Sequence, residues 1–212
     1  MVQHRLLDVA VEEFGQNGLE GASTRAIAAK AGTAMSSITY HYGGKQGLYL
    51  AAADHIVAEM THTLAPALDL DRPVAEDDAV GARAVIHDIM ATMFDYMLAE
   101  KRASWSLFIA REQAHPTEAF HRIYDGMMSR LLERMVALIC VATGHRDRVA
   151  SRIVTLTVLG QVFFARSSQA ACLKLLERSC FDPATATAIK ERIRANTDAI
   201  LDRLIAEQQE PQ

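Results

Sequence analysis

The chain is short of the residues that punctuate strands and staple small folds. Its 212 residues include 5 prolines, 11 glycines and 3 cysteines. A sandwich or barrel of short strands needs turn residues at roughly every 8–12 positions, so scarce punctuation argues against one. Cys140, Cys172 and Cys180 are odd in number and widely spaced, which excludes a disulfide framework and fits free thiols in a reducing compartment. Long hydrophobic runs are missing too. The longest uncharged apolar-rich run, Ile153–Ala165, has 13 residues and contains Thr, Gly and Gln, too few to span a bilayer. The opening, MVQHRLLDVAVEEF, is broken by charge too often for a secretory signal. The expectation is a soluble cytoplasmic protein with no membrane partner.

The most informative absence is local. From Gly21 to Ala53 there is no Asp or Glu, although 26 acids in 212 residues would place about four there. Arg25, Lys30 and Lys45 lie inside this window. The whole chain carries a net charge of −4 with a pI of about 6.1, so most of its surface is unsuited to a polyanion. Residues 1–60 hold four Lys/Arg against six Asp/Glu, but those acids lie at positions 8–20 and 54–59, flanking the clean stretch. Nucleic-acid contact, if any, is confined to it.

What is present is helical patterning. Half the residues are apolar, enough for a substantial core. Leu7, Val11 and Phe14 fall at helical spacing, and this first helix is expected to end near Gly18. Ser23 suits the N-cap of a second helix through Lys30 or Ala31, with Gly32 as its left-handed C-terminal residue. A third helix is expected over Met35–Tyr42, broken by Gly43 and Gly44, and a fourth from about Lys45 to 64 with Leu48, Ala52, Ile56 and Met60 in one stripe. Residues 65–78, with two prolines and five acids, read as linker. Further helices are expected at about 79–100, 102–112, from Thr117 to Val141, from Asp147 past Phe164, and at 184–207. The fold class is all-α.

Two helices joined by a short Gly-containing turn form a helix-turn-helix pattern, whose second helix presents its N-terminal residues to base edges in the major groove. Here those residues are Met35, Ser36, Ser37 and Thr39. Hydroxyls serve several bases, and a methyl packs on thymine. Tyr40, His41 and Lys45 follow on the same side as phosphate contacts. Thr24 and Arg25 open the preceding helix, whose free N–H groups suit another phosphate.

These residues resemble the N-terminal domain of TetR-family transcriptional regulators. Ala10, Phe14 and Gly18 match the end of that family's first helix. Ser23, Thr24, Ile27, Ala28, Ala31 and Gly32 match its T-[TS]-x-x-I-A-x-x-A-G stretch, and Ile38, Thr39, Tyr40, His41, Tyr42, Lys45 and Leu48 its L-Y-x-[HY]-[FY]-x-x-K-x-x-L end. Two positions depart: Ala34 replaces the usual hydroxyl cap of the recognition helix, and Thr39 replaces a Tyr. The segment Phe108-Ile109-Ala110-Arg111-Glu112-Gln113-Ala114-His115-Pro116-Thr117 is similar to the F-[IL]-x-R-E-Q-x-x-P-T of CecR-like regulators. The resemblance implies a DNA-binding domain at 1–47, and a helical domain at 48–212 that dimerises and binds a small-molecule effector. It further implies a homodimer on a pseudo-palindromic site of double-stranded DNA, most simply as a ligand-released repressor.

Met90, Phe94, Met97, Trp105, Phe108 and Met127 form a Met-rich apolar set suited to an adaptable effector site, with Arg111 as a polar anchor; plain core is the competing reading. The run Ile153–Ala165 is apolar all round and must be covered on both sides. Val154, Val158, Gln161 and Val162, together with Ile193, Ile200 and Leu204 of the last helix, are therefore expected at a dimer interface. The rival class is a metal-dependent helical enzyme. Glu118 and His121 form a Glu-x-x-His pair, but a di-iron site needs a second pair and the sequence has none. Gly43-Gly44-Lys45 lacks the spacing of a phosphate loop. No catalytic residue, metal or cofactor is expected.

Overall fold

The computed structural model describes residues 2–98 and 103–209, and among them all regular structure is helical. The helices are α1 (Val2–Gly21), α2 (Thr24–Ala31), α3 (Met35–Tyr42), α4 (Lys45–Thr63), α5 (Ala65–Leu68), α6 (Ala79–Leu98), α7 (Ala103–Ala114), α8 (Glu118–Ile123), α9 (Ser129–Thr143), α10 (Arg148–Ser167), α11 (Gln169–Leu175) and α12 (Pro183–Gln209). The chain divides into two compact units. One holds the residues through Pro66 together with the described part of 99–130; the other holds 67–98 and the chain from Leu131 onward.

In the first unit α1 packs against α4 and α7, α4 carries α8, and α2 and α3 close one side. Leu6, Ala10, Val11 and Phe14 give α1 its buried stripe. The expected end near Gly18 is a break: Gly18 takes φ +70° inside the span of α1. A helix end leaves carbonyls without partners. Here Arg111 supplies them, donating from Nε to the Gly15 carbonyl at 2.8 Å and from Nη2 to the Gln16 carbonyl at 2.7 Å. Its cation also complements the negative end of the helix dipole. Contact this close needs Gly15, where a Cβ would lie 2.6 Å from the Ser104 carbonyl oxygen of α7.

The neighbouring Glu112 is buried and serves three elements. Its Oε1 accepts from the Tyr49 hydroxyl of α4 at 2.6 Å. Its Oε2 accepts from the Thr117 N–H (3.1 Å), the Thr117 hydroxyl (2.8 Å) and the Phe120 N–H (2.9 Å) at the start of α8. Burial, and then the Glu112 carboxylate, push the Tyr49 phenol well above its ordinary range. Phe108 stacks on the Tyr49 ring, centroids 4.7 Å apart. Phe108, Arg111, Glu112 and Thr117 of the F-I-A-R-E-Q-A-H-P-T segment thus clamp α7 onto α1, α4 and α8.

The helix expected from Thr117 to Val141 is instead α8, a π turn at Tyr124–Met128, and α9. Gly126 faces α4 so closely that a Cβ would lie 2.5 Å from a Val57 methyl.

In the second unit α6 packs on α10 and α12. A His87–Asp198 hydrogen bond (2.9 Å) and the ion pairs Arg83–Asp202 (2.5 Å) and Lys190–Asp95 (2.9 Å) tie α6 to α12. Asp147 caps α10 by accepting from Val149 and Ala150. Helices α5 and α11 were not expected: they have four and seven residues, and α11 buries none, so neither has a periodic signal to read. The expected end of the α6 segment near 100 and start of the α7 segment near 102 lie outside the described residues.

The dimer residues need a correction. Val158 and Val162 are buried inside the protomer with Ser151, Thr155 and Leu159, and Ile193 of α12 is also buried, so these three are core, while Leu204, largely buried, borders a surface groove. The opposite side of α10 carries Val149, Ile153, Leu156 and Phe164, each more than half exposed. Val154, Gln161 and Ile200 are half-buried. By length and composition α10 is the one described helix apolar enough to cross a membrane, which the 13-residue run did not suggest. Within α10, Arg148 and Arg152 both pair with Glu133, and one face packs in the unit.

Candidate nucleic-acid interface

Helix α2 is closed at both ends by its own sequence. The Ser23 hydroxyl accepts from the Ala26 N–H at 3.3 Å. Gly32 takes φ +70°, letting its N–H reach the Ala29 carbonyl and the Thr33 N–H reach that of Ala28, at 3.2 and 3.0 Å. Ile27, Ala28 and Ala31 are its buried face. The turn Gly32-Thr33-Ala34 then delivers α3.

Helix α3 has one buried anchor, Ile38. Its N-cap Ala34 makes no side-chain cap, as the substitution implied. The helix is held at its far end. Gly43 takes φ +71° and returns its N–H to the Thr39 carbonyl at 3.0 Å. Gly47 then lets α4 press against α3, since a Cβ there would sit 1.7 Å from the Tyr42 carbonyl oxygen.

Met35, Ser36, Thr39, Tyr40 and His41 are exposed, and Ser37 is half-buried. Tyr40 is 85% exposed, the most of any large apolar side chain described. Thr24 is half-buried at the first position of α2, and Arg25 beside it is exposed. Lys30 pairs with Glu13 at 3.2 Å. Lys45 is half-buried and donates to the Glu20 carbonyl at 2.8 Å, so its ammonium closes the end of α1 as well as bordering the acid-free surface. Arg25 is the window's cation without a partner among the described residues. The Tyr42 hydroxyl, which the sequence reading did not assign, is buried with no hydrogen-bond partner.

The expected effector residues fall in both units. Met90, Phe94 and Met97 belong to α6; Trp105, Phe108 and Arg111 belong to α7, and Met127 to the π turn. Met90, Phe94, Phe108 and Met127 are almost fully buried. The Arg111 guanidinium is committed to the α1 carbonyls, a role the sequence reading missed. Glu118 is held by Arg122 at 2.6 Å, which also reaches Asp54 at 2.6 Å. Among the described residues the grouped metal-type ligands are elsewhere, at His4, Asp8 and His55.

This geometry is that of a known family. Residues 6–52 match the bacterial regulatory proteins of the tetR family, and residues 82–204 match the C-terminal domain of the HTH-type transcriptional dual regulator CecR. The chain is 30% identical to CecR of Shigella flexneri over 205 residues, 94% of this chain and 91% of that one. The chain belongs to the TetR family of transcriptional regulators. It is also 36% identical over 69 residues to the regulatory protein RaaS of Mycobacterium tuberculosis, 32% of each chain. Its fold is shared with a TetR-family regulator from Streptomyces coelicolor (TM-score 0.65, 14% identity, 96% of each chain covered). The fatty acid degradation regulator FadR of Bacillus halodurans has it as well (TM-score 0.62, 14% identity, 93% and 96% covered). In this TetR-family chain, α2 and α3 are the helix-turn-helix.

Proposed function

We propose that this TetR-family regulator is a homodimeric cytoplasmic repressor that binds a pseudo-palindromic operator and is released by a small-molecule effector. Residues 1–47 read the DNA, and residues 48–212 dimerise and sense the effector. The observation that carries the reading is the outer face of α3. Met35, Ser36, Thr39 and Tyr40 stand free on a helix with one buried residue, inside a stretch without a single acid. Ser36, Ser37 and Thr39 meet base edges, Tyr40 and His41 meet phosphates, and Thr24 and Arg25 meet another phosphate at the start of α2. Lys45 adds charge at the edge of the same surface.

The dimer face is the outer side of α10, extended by α12. A groove of about 370 Å³ between these helices is lined by Val154, Ala199, Ile200, Arg203, Leu204 and Glu207. It adjoins the exposed Val149, Ile153, Leu156 and Phe164 of α10, a surface that a second copy would cover isologously. For the effector, Met90, Phe94 and Met97 of α6 are the favoured walls, because thioether side chains repack easily around a guest. Trp105, Phe108, Arg111 and Met127 instead serve packing in the first unit.

Selection of bound DNA fragments tests the reading directly. Enriched fragments should carry two inverted half-sites about one helical turn, or a multiple, apart. Enrichment of unpaired half-sites, or none, overturns it. For the dimer, Leu156→Glu should give a folded monomer by light scattering, whereas Val158→Glu should fail to fold. A dimeric Leu156→Glu protein would move the interface elsewhere.

A further inference from the structure

Four side chains unused by the DNA reading meet between α1 and α4. His4 and Asp8 are four residues apart on α1, and His55 and Glu59 are four apart on α4. That spacing puts each pair on one face of its helix, one turn apart, and the two helices pack against each other. The His4 ring contacts a carboxylate at each nitrogen, Asp8 at 3.0 Å from Nδ1 and Glu59 at 3.1 Å from Nε2. Asp8 also meets His55 Nε2 at 2.8 Å. The two imidazoles lie edge to face, centroids 4.7 Å apart. Ligand atoms of His4, Asp8 and His55 all lie within 4.8 Å of one another.

We infer that His4, Asp8 and His55 form a binding site for one zinc-class divalent ion that staples α1 to α4, with Glu59 orienting the His4 ring from its other nitrogen. The donor set selects the ion. Calcium and magnesium take oxygen ligands, whereas two imidazoles with carboxylates suit zinc and its neighbours. The spacing fits as well. Ligands about 2.0–2.1 Å from a tetrahedral zinc are about 3.3–3.4 Å from each other. The His4–Asp8 and Asp8–His55 separations of 3.0 and 2.8 Å need to open by only a few tenths of an ångström, and no two of the three ligand atoms lie more than 4.8 Å apart. One carboxylate and two imidazoles leave the fourth tetrahedral position to a water, as in open zinc sites, while the Glu59 carboxylate adds a nearby negative charge. His55 is buried in α4 and fixes one donor, while His4 is exposed and gives the ion its route in. Such a staple joins the helix that starts the DNA-binding domain to the one that leaves it. It requires nothing of the DNA reading.

The full-length protein, stripped by a chelator, is titrated with zinc chloride by calorimetry and with cobalt chloride by visible absorption. One ion per protomer is expected, with the intense d–d bands of tetrahedral cobalt and a zinc-dependent rise in the thermal midpoint. The exposed His4→Ala and Asp8→Asn variants leave the core intact. Each should lose at least about ten-fold in affinity, since removing even an outer-shell partner of a metal ligand costs that much. They should also lose the cobalt bands and the thermal shift. His121→Ala, a histidine outside the cluster, should bind as the parent does. Absence of stoichiometric binding by the parent, or the same affinity and spectrum in His4→Ala and Asp8→Asn, overturns the site.

Discussion

Helices α2 and α3 are each eight residues long and adjacent in the chain, yet they are stabilised in opposite ways. Helix α2 has a hydroxyl cap, a left-handed glycine and three buried side chains. Helix α3 has no side-chain cap at its start and one buried side chain. Neither length is stable alone in water. Helix α2 is held by its own sequence, whereas α3 is held by the corner it makes with α4 through Gly43 and Gly47. This frees most of α3's side chains from structural duty. A helix that must present its surface to a partner cannot also spend that surface on the core.

The strongest way to break the comparison is at the corner. Gly47→Ala places a methyl into the Tyr42 carbonyl and should destabilise the protein by about 3 kcal/mol, with DNA binding lost. Gly32→Ala meets open space but a positive φ, and should cost only about 1–2 kcal/mol. Urea unfolding of the two variants measures both. If Gly47→Ala proves the milder change, α3 is not held at the corner.

Next come two neighbours on α3. Ile38→Ala empties the single anchor and should cost roughly 2–5 kcal/mol of stability. Tyr40→Ala should stay within about 0.5 kcal/mol of the parent in stability. It should nevertheless weaken binding to all DNA sequences by about 1 kcal/mol, the net worth of one hydrogen bond. Arg25→Ala should flatten the slope of log affinity against log salt by about one. Band shifts across a salt series read both effects. A Tyr40→Ala protein that binds as the parent does would remove Tyr40 from the interface.

The same contrast explains what was legible in the sequence. Helix α2 could be read because Ser23, Gly32 and the Ile27-Ala28-Ala31 face are local signals. Helix α3 was bounded by its glycines, and the missing cap at Ala34 was visible. Gly47 was missed because its reason is a carbonyl from another helix. Arg111 and Glu112 carry a recognisable pattern, but their partners Gly15, Gln16 and Tyr49 lie far away in sequence, so pattern alone could not separate a clamp from an effector contact. On α10 the all-apolar run was read as needing two covers, and the protomer itself covers one face. Which residues faced which way depended on α6 and α12, and periodicity fades when both faces are apolar.

Capping sharpens the comparison on a smaller scale. Ser23→Ala should cost about 1 kcal/mol, while Ala34→Ser should add up to about 1 kcal/mol. Ala34 already has the extended backbone a cap requires, with φ −79° and ψ 143°. Denaturation midpoints of the two variants should therefore move in opposite directions. A neutral Ala34→Ser would mean that the start of α3 is limited by something other than its cap.

The smallest effect concerns Tyr42, at the last position of α3. A buried hydroxyl without a partner carries a desolvation cost that no interaction offsets. Tyr42→Phe removes that cost and changes little else, so the free protein should be equally stable or more stable by up to about 1 kcal/mol. The variant then separates two roles by a second readout. If DNA affinity is unchanged, the hydroxyl is inert and the ring alone matters, as the packed end of α3. If affinity falls while stability holds, the hydroxyl gains an acceptor only when DNA is bound. The Tyr42 hydroxyl would then belong to the binding surface despite being buried in the free protein, and the division between held and presenting residues would run through Tyr42 itself.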